Sequence, residues 1–137
     1  MTSDPSPRRG RQGIAERRLL ARSLPDLPPG DAQLIERFLD ATWAETGLSP
    51  ASRDSYRRDL AGFARWRASD GALLAASAAD LSGYLAWRVR VGYSPRSSAR
   101  LLSALRGFYA WCMRQRLRVD DPTTLLGSPT LPRLLPK

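Results

Sequence analysis

The chain has 137 residues, 42% of them hydrophobic, which suits one domain with a single core and some tail. Its 22 basic against 13 acidic residues leave a net charge of +9, with no histidine and one cysteine. Those absences exclude Ser/His/Asp and Cys/His nucleophilic systems, a disulfide framework and the usual zinc-ligand spacings.

No apolar run approaches the roughly 20 residues a bilayer-crossing helix needs, and no apolar stretch follows Arg8, Arg9 and Arg11 as in a signal peptide. The expectation is a soluble, cytoplasmic protein that does not engage membranes. Carboxylates read as helix caps and solvated faces, so the sequence shows no catalytic constellation, no metal site and no cofactor-binding loop.

Residues 1–30 are rich in Pro, Arg, Ser and Gly and read as a disordered tail, apart from a short possible helix at 14–20. Asp31 is expected to cap a first helix over 31–46, with Leu34, Ile35, Phe38, Leu39, Thr42 and Trp43 on one side at the helical period. Gly47 follows as the left-handed residue past its end, with Leu48 placed to pack on Trp43. Ser49-Pro50 starts a second helix, to about residue 68, burying Tyr56, Leu60 and Phe63.

Ser77-Ala78-Ala79-Asp80 resembles a capping box and opens a third helix over 78–91, with Leu81, Tyr84, Leu85 and Val89 inward. Gly92-Tyr93-Ser94-Pro95 then repeats the Gly47-Leu48-Ser49-Pro50 corner. It leads to the longest helix, ending near residue 116, whose buried stripe is Leu101, Leu102, Leu105, Phe108, Tyr109 and Cys112. Cys112 there reads as a small core residue. Asp121-Pro122 predicts one more short turn of helix at 123–126, and residues 128–137 alternate Pro with small or apolar residues as an extended linker. The predicted fold is all-α, two helical hairpins in tandem over residues 31–127.

Charge is where this sequence departs from an ordinary helical domain. Between Leu81 and Val119 stand eight arginines (Arg88, Arg90, Arg96, Arg100, Arg106, Arg114, Arg116 and Arg118) and no carboxylate. A single-sign run on core-forming helices points to a polyanion, and nucleic acid is the first candidate. On the last helix Arg96, Arg100, Ser103, Gly107, Ala110 and Arg114 line up opposite the core stripe, with Arg106 on one flank. Small residues between arginines let a helix approach a DNA backbone closely.

On the second helix Arg53 and Arg57 share one flank and Arg58 and Arg65 another, with Asp54 placed to pair with Arg58 and Asp59 diluting the field. Ser52 and Ser97, near helix starts, offer hydroxyl and N–H donors to a phosphate. Phe38, Trp43, Tyr56, Phe63, Tyr84, Phe108 and Tyr109 fall at core spacing. Trp66, Trp87 and Trp111 lie at stripe edges, where they would suit contacts with another domain. Tyr109 on a buried stripe, without an activating base, does not read as a nucleophile.

Several stretches together resemble the N-terminal core-binding domain of Xer-type tyrosine recombinases, closest to the XerD branch: Ile35 to Asp40, Tyr56 to Leu60, Ser97 to Arg106 and Asp120-Asp121-Pro122. Residues 128–137 look like that family's interdomain linker. The resemblance implies a four-helix, SAM-like domain that clamps a recombination half-site of double-stranded DNA, its second and fourth helices addressing the major groove. It also implies a parent reaction of phosphotyrosyl transesterification, without metal or nucleotide cofactor, in chromosome dimer resolution or DNA integration, alongside a partner recombinase subunit.

The family's catalytic residues belong to a further domain, so none is carried over, and the chain reads as a fragment or truncated product expected to bind DNA without cleaving it. The DNA-binding residues expected are Ser52, Arg53, Arg57, Arg96, Ser97, Arg100, Ser103 and Arg106. Two alternatives stay open on the residues alone: a helical protein-interaction module using Trp66, Trp87 or Trp111, and a stand-alone non-specific DNA binder using the arginine tail.

Overall fold

A computed structural model of the chain describes residues 19, 23–68 and 71–126. Most of the expected tail, all of the possible helix at 14–20 except Leu19, and all of the expected linker at 128–137 therefore lie outside the described residues. Within them the elements are α1 (Pro29–Thr46), α2 (Pro50–Arg67), α3 (Ala72–Ala75), α4 (Ala78–Arg90) and α5 (Pro95–Arg114), with no strand. The expected four long helices are present, and the fold is all-α.

Local sequence accounts for most of the boundaries. Ser49, Ser77 and Ser94 each accept a bond from the backbone N–H three residues on, and Pro50 and Pro95 occupy the first helical position, where a missing N–H costs nothing. Ser77 and Asp80 form the full reciprocal box. Gly47 ends α1 at φ 68°, where its missing Cβ removes the strain, and donates its N–H to the Trp43 carbonyl.

Three boundaries differ from expectation. α1 starts at Pro29 rather than Asp31, because Pro28 takes the cap position and Pro29 fits the first turn. The one-turn helix α3 was not expected from the sequence, since four residues are too few to show a period. Residues 122–125 form hydrogen-bonded turns rather than helix, closed by Asp121 Oδ1 accepting from the Thr123 N–H at 2.8 Å and from its hydroxyl at 2.6 Å.

α2 packs against α1 on one side and against α5, α3 and α4 on others, so it is the hub of the bundle. The core is built on Phe38, Leu39, Leu60, Phe63, Leu81, Leu105, Phe108 and Tyr109, each at most 2% exposed. Its rings meet edge-on or tilted, as with Phe38 and Phe108 at 5.5 Å and 87°. Trp111 belongs to this core at 3% exposure, not to a contact surface, whereas Trp43 is 57% exposed and Val89 64%, both against expectation. Each of those two sits at the rim of its stripe, where the neighbouring helix no longer covers it. Trp66 and Trp87 are half-buried and flank Tyr84, at 5.3 and 5.7 Å between ring centres.

Candidate nucleic-acid interface

α5 carries four arginines and no carboxylate in its 20 residues. Its apolar stripe is drawn into the core, which leaves Arg96, Ser103 and Arg106 on the exposed side. Arg96 has no protein partner among the described residues. Arg106 donates from Nη2 to the Leu126 carbonyl at 3.0 Å, so it also ties down the turn after α5. Arg114 lies 3.6 Å from Glu45 of α1, both side chains more than half exposed.

Arg100 is held differently. Its Nε and Nη2 both donate at 2.8 Å to the two carboxylate oxygens of Asp59 on α2, 41 residues away. Asp59 is 4% exposed, while the Arg100 side chain remains 42% exposed. Hydrogen bonding to Asp59 raises the Arg100 pKa from its already high value, so the guanidinium is a permanent charge. Asp59 is thus a partner, where the sequence suggested only a diluting charge.

The remaining face differs in part from the helical wheel. Gly107 and Ala110 are half-buried, and a Cβ on Gly107 would stand 3.5 Å from the Phe38 ring, so this stretch faces α1 rather than open solvent. Ser103, Gly107, Ala110 and Arg114 instead form one wall of a recess shared with Thr42 and Tyr56.

At the start of α2 the arginines are engaged by acids. Arg57 donates to Glu36 at 2.6 and 3.0 Å and to Asp54 at 2.7 Å, and Arg53 pairs with Asp40 and lies 3.8 Å from Glu36. Asp54 therefore pairs with Arg57, not with Arg58 as its spacing suggested. The bond from Arg57 holds the Glu36 carboxyl below its ordinary range and raises Arg57 in turn. With two arginines against three carboxylates, this corner has no spare positive charge. Arg58 is exposed, and Arg65 donates to the carbonyls of Pro25 and Leu24 at 2.8 and 3.0 Å.

Both serines have committed their backbone N–H groups. Ser52 donates to Ser49 Oγ and Ser97 to Ser94 Oγ, each at 3.1 Å, and Ser97 Oγ accepts from Arg88 Nη2 at 2.6 Å. What each has left to offer a phosphate is its hydroxyl proton.

Two arginines of the acid-free run are structural. Arg88 is 3% exposed, its guanidinium 3.9 Å from the centre of the Tyr93 ring. Arg118 donates to the Ala76 carbonyl at 2.6 Å and to Asp120 at 3.0 Å, with 9% of its side chain exposed. Tyr109 and Cys112, two side chains of nucleophilic type, are equally internal. Burial raises the Tyr109 hydroxyl well above its ordinary pKa while it donates to the Leu73 carbonyl at 2.6 Å, and burial pushes the Cys112 thiol up to about 12.

Residues 35–116 match the family model for the phage integrase N-terminal SAM-like domain. The chain belongs to that family. It is 56% identical over 124 residues to the tyrosine recombinase XerD of Xanthomonas campestris pv. campestris, covering 90% of this chain and 38% of the relative. The XerD proteins of Yersinia pestis and Pseudomonas aeruginosa are 49% and 47% identical over 108 and 105 residues, covering 78% and 76% of this chain and 36% and 35% of the relatives. The chain thus spans little more than a third of the length of these curated relatives. No solved structure matches it. Among the described residues, no helix is long and apolar enough to cross a membrane.

Proposed function

We propose that residues 31–127 form the DNA-binding core-binding domain of a XerD-like site-specific recombinase, which grips a recombination half-site of double-stranded DNA. Residues 128–137 serve in this reading as the linker to a strand-cleaving domain. The whole protein would act with a partner recombinase subunit on chromosomal DNA in the cytoplasm, in dimer resolution or integration. Family membership and the XerD relatives support the class of activity.

The observation that carries the reading is α5: a 20-residue helix with four arginines, no acid and its apolar stripe used by the core. Arg96 and Arg106 supply phosphate contacts, Ser103 lets the helix come close, and Arg100 presents a fixed fork. Ser97 and Ser52 add hydroxyl donors at the two helix starts. Arg53 and Arg57 reach phosphates only by leaving Glu36, Asp40 and Asp54, so each contributes the difference between two charge-assisted pairings, the smaller gain.

The test is the anisotropy of a labelled duplex titrated with the chain at several salt concentrations. Binding whose log affinity falls linearly with log salt, by about 0.9 per phosphate neutralised, is the expected result. Salt-insensitive association with a protein partner, or no duplex binding at low salt, would sink the reading.

A further inference from the structure

Three arginines on the open side of α5 are held in three ways. Arg96 has no protein partner among the described residues, Arg106 donates to one main-chain carbonyl, and Arg100 is clamped at two points by a buried carboxylate. A carboxylate taken from water is costly unless paired, and Arg100 meets both oxygens of Asp59. The guanidinium is planar, with five N–H donors in fixed directions. Asp59 takes the Nε–Nη2 edge, which leaves the Nη1–Nη2 edge directed away from the carboxylate on a side chain that is 42% exposed. That second edge is a two-donor fork matched to the O6 and N7 acceptors of guanine or to two phosphate oxygens.

We propose that Asp59 is a positioning residue that fixes Arg100 as the sequence-reading contact of this domain, while Arg96 and Arg106 bind the backbone without regard to sequence. This rests on the DNA-binding reading above. Pairing across α2 and α5 takes the rotamer freedom out of Arg100 before DNA arrives, so the geometry a base edge demands is already set. A mobile arginine serves a phosphate well enough, because a phosphate presents acceptors in many directions. Reading a base is the stricter task.

Simple electrostatics leads to a different expectation. Removing a negative charge from a DNA-facing helix pair should tighten binding to any duplex alike. If Asp59 instead sets geometry, its loss should weaken discrimination even where general affinity rises.

The experiment begins with a random-sequence duplex pool, from which the wild-type chain selects a preferred sequence. Affinities for that duplex and a shuffled version are then measured for wild type, Asp59→Asn, Arg100→Ala and the double variant. The ratio of the two affinities should fall roughly fivefold or more in Asp59→Asn, with shuffled-duplex affinity kept or raised. In the Arg100→Ala background, Asp59→Asn should change the ratio no further. Arg100→Lys guards against a folding defect in the Asp59 variant, since it keeps the charge on a half-exposed site and loses only the fork. It should lose the ratio while keeping shuffled-duplex affinity.

An unchanged or raised ratio in Asp59→Asn, or an equal loss with and without Arg100, overturns the proposal and leaves DNA binding standing. So does a pool from which the wild type binds duplex but enriches no sequence. If the wild type binds no duplex at all, the underlying DNA-binding reading falls as well.

Discussion

The carboxylate of Asp31 accepts the backbone N–H of Leu73 at 3.2 Å, 42 residues further along the chain, and that of Ala72 at 3.3 Å with its other oxygen. Asp31 is 2% exposed, so a residue of the first turn of α1 serves as the cap of the one-turn helix α3, whose own preceding residue, Gly71, has no side chain to do so. Asp31→Ala leaves both donors unpaired at a buried site and should cost about 2 kcal/mol of stability. Asp31→Asn keeps one acceptor and should cost about half as much. Urea denaturation checks both; equal stability of Asp31→Ala and wild type would refute the capping role.

Acid should weaken the fold through two carboxylates in particular. Arg57 bonding lowers the Glu36 pKa, while the Ser77 backbone N–H and then Arg67 lower that of Asp80. A carboxylate with a depressed folded pKa adds stability that is complete above its unfolded value, about 4, and is lost as pH falls through the folded one. Both side chains are a third or more exposed, so each effect is small. Asp80→Asn should therefore lower stability at pH 7 and flatten its decline below about pH 4, measured by thermal melts across pH. A variant as acid-sensitive as wild type would contradict this role for Asp80.

Two helix-interior glycines should respond to alanine with opposite signs. At Gly107 an added Cβ makes ordinary contact with Phe38 at 3.5 Å, so the usual helix gain of about 0.5–1 kcal/mol should appear. At Gly62 it would stand 2.8 Å from the Tyr84 hydroxyl oxygen. Tyr84 is boxed in by the rings of Phe63, Trp66 and Trp87, which leaves it little room to retreat. Gly62→Ala should lose stability, and chemical denaturation of the two variants side by side reads the contrast.

Helix starts and stops were legible because their chemistry is local: Ser-Pro corners, a Ser-x-x-Asp box and a glycine past the end. The family resemblance was likewise legible in short runs of neighbouring residues. Charge pairing was not, because it is settled across elements. Arg100 finds Asp59, Arg57 finds Glu36 and Arg118 finds the Ala76 carbonyl, at separations of 41, 21 and 42 residues.

One signal was available and points the same way three times. Asp31 precedes Ile35 by four residues, Asp59 lies three after Tyr56 and four before Phe63, and Arg88 lies four after Tyr84. Each charge therefore sits on a buried stripe at the helical period, and each is less than 5% exposed. A charged residue in a core register is a statement that another element brings its partner.

The most direct measurement on the DNA-facing role of α5 is the salt dependence of duplex binding by the double variant Arg96→Ala/Arg106→Ala. Arg65→Ala, which removes an α2 side chain that donates to the Leu24 and Pro25 carbonyls, serves as the comparison. With two phosphate-binding arginines removed from α5, the slope of log affinity against log salt should shrink in magnitude by about 1.8, and Arg65→Ala should stay close to wild type. An unchanged slope in the α5 double variant, with a reduced slope in Arg65→Ala, would place the DNA on the other face of the bundle.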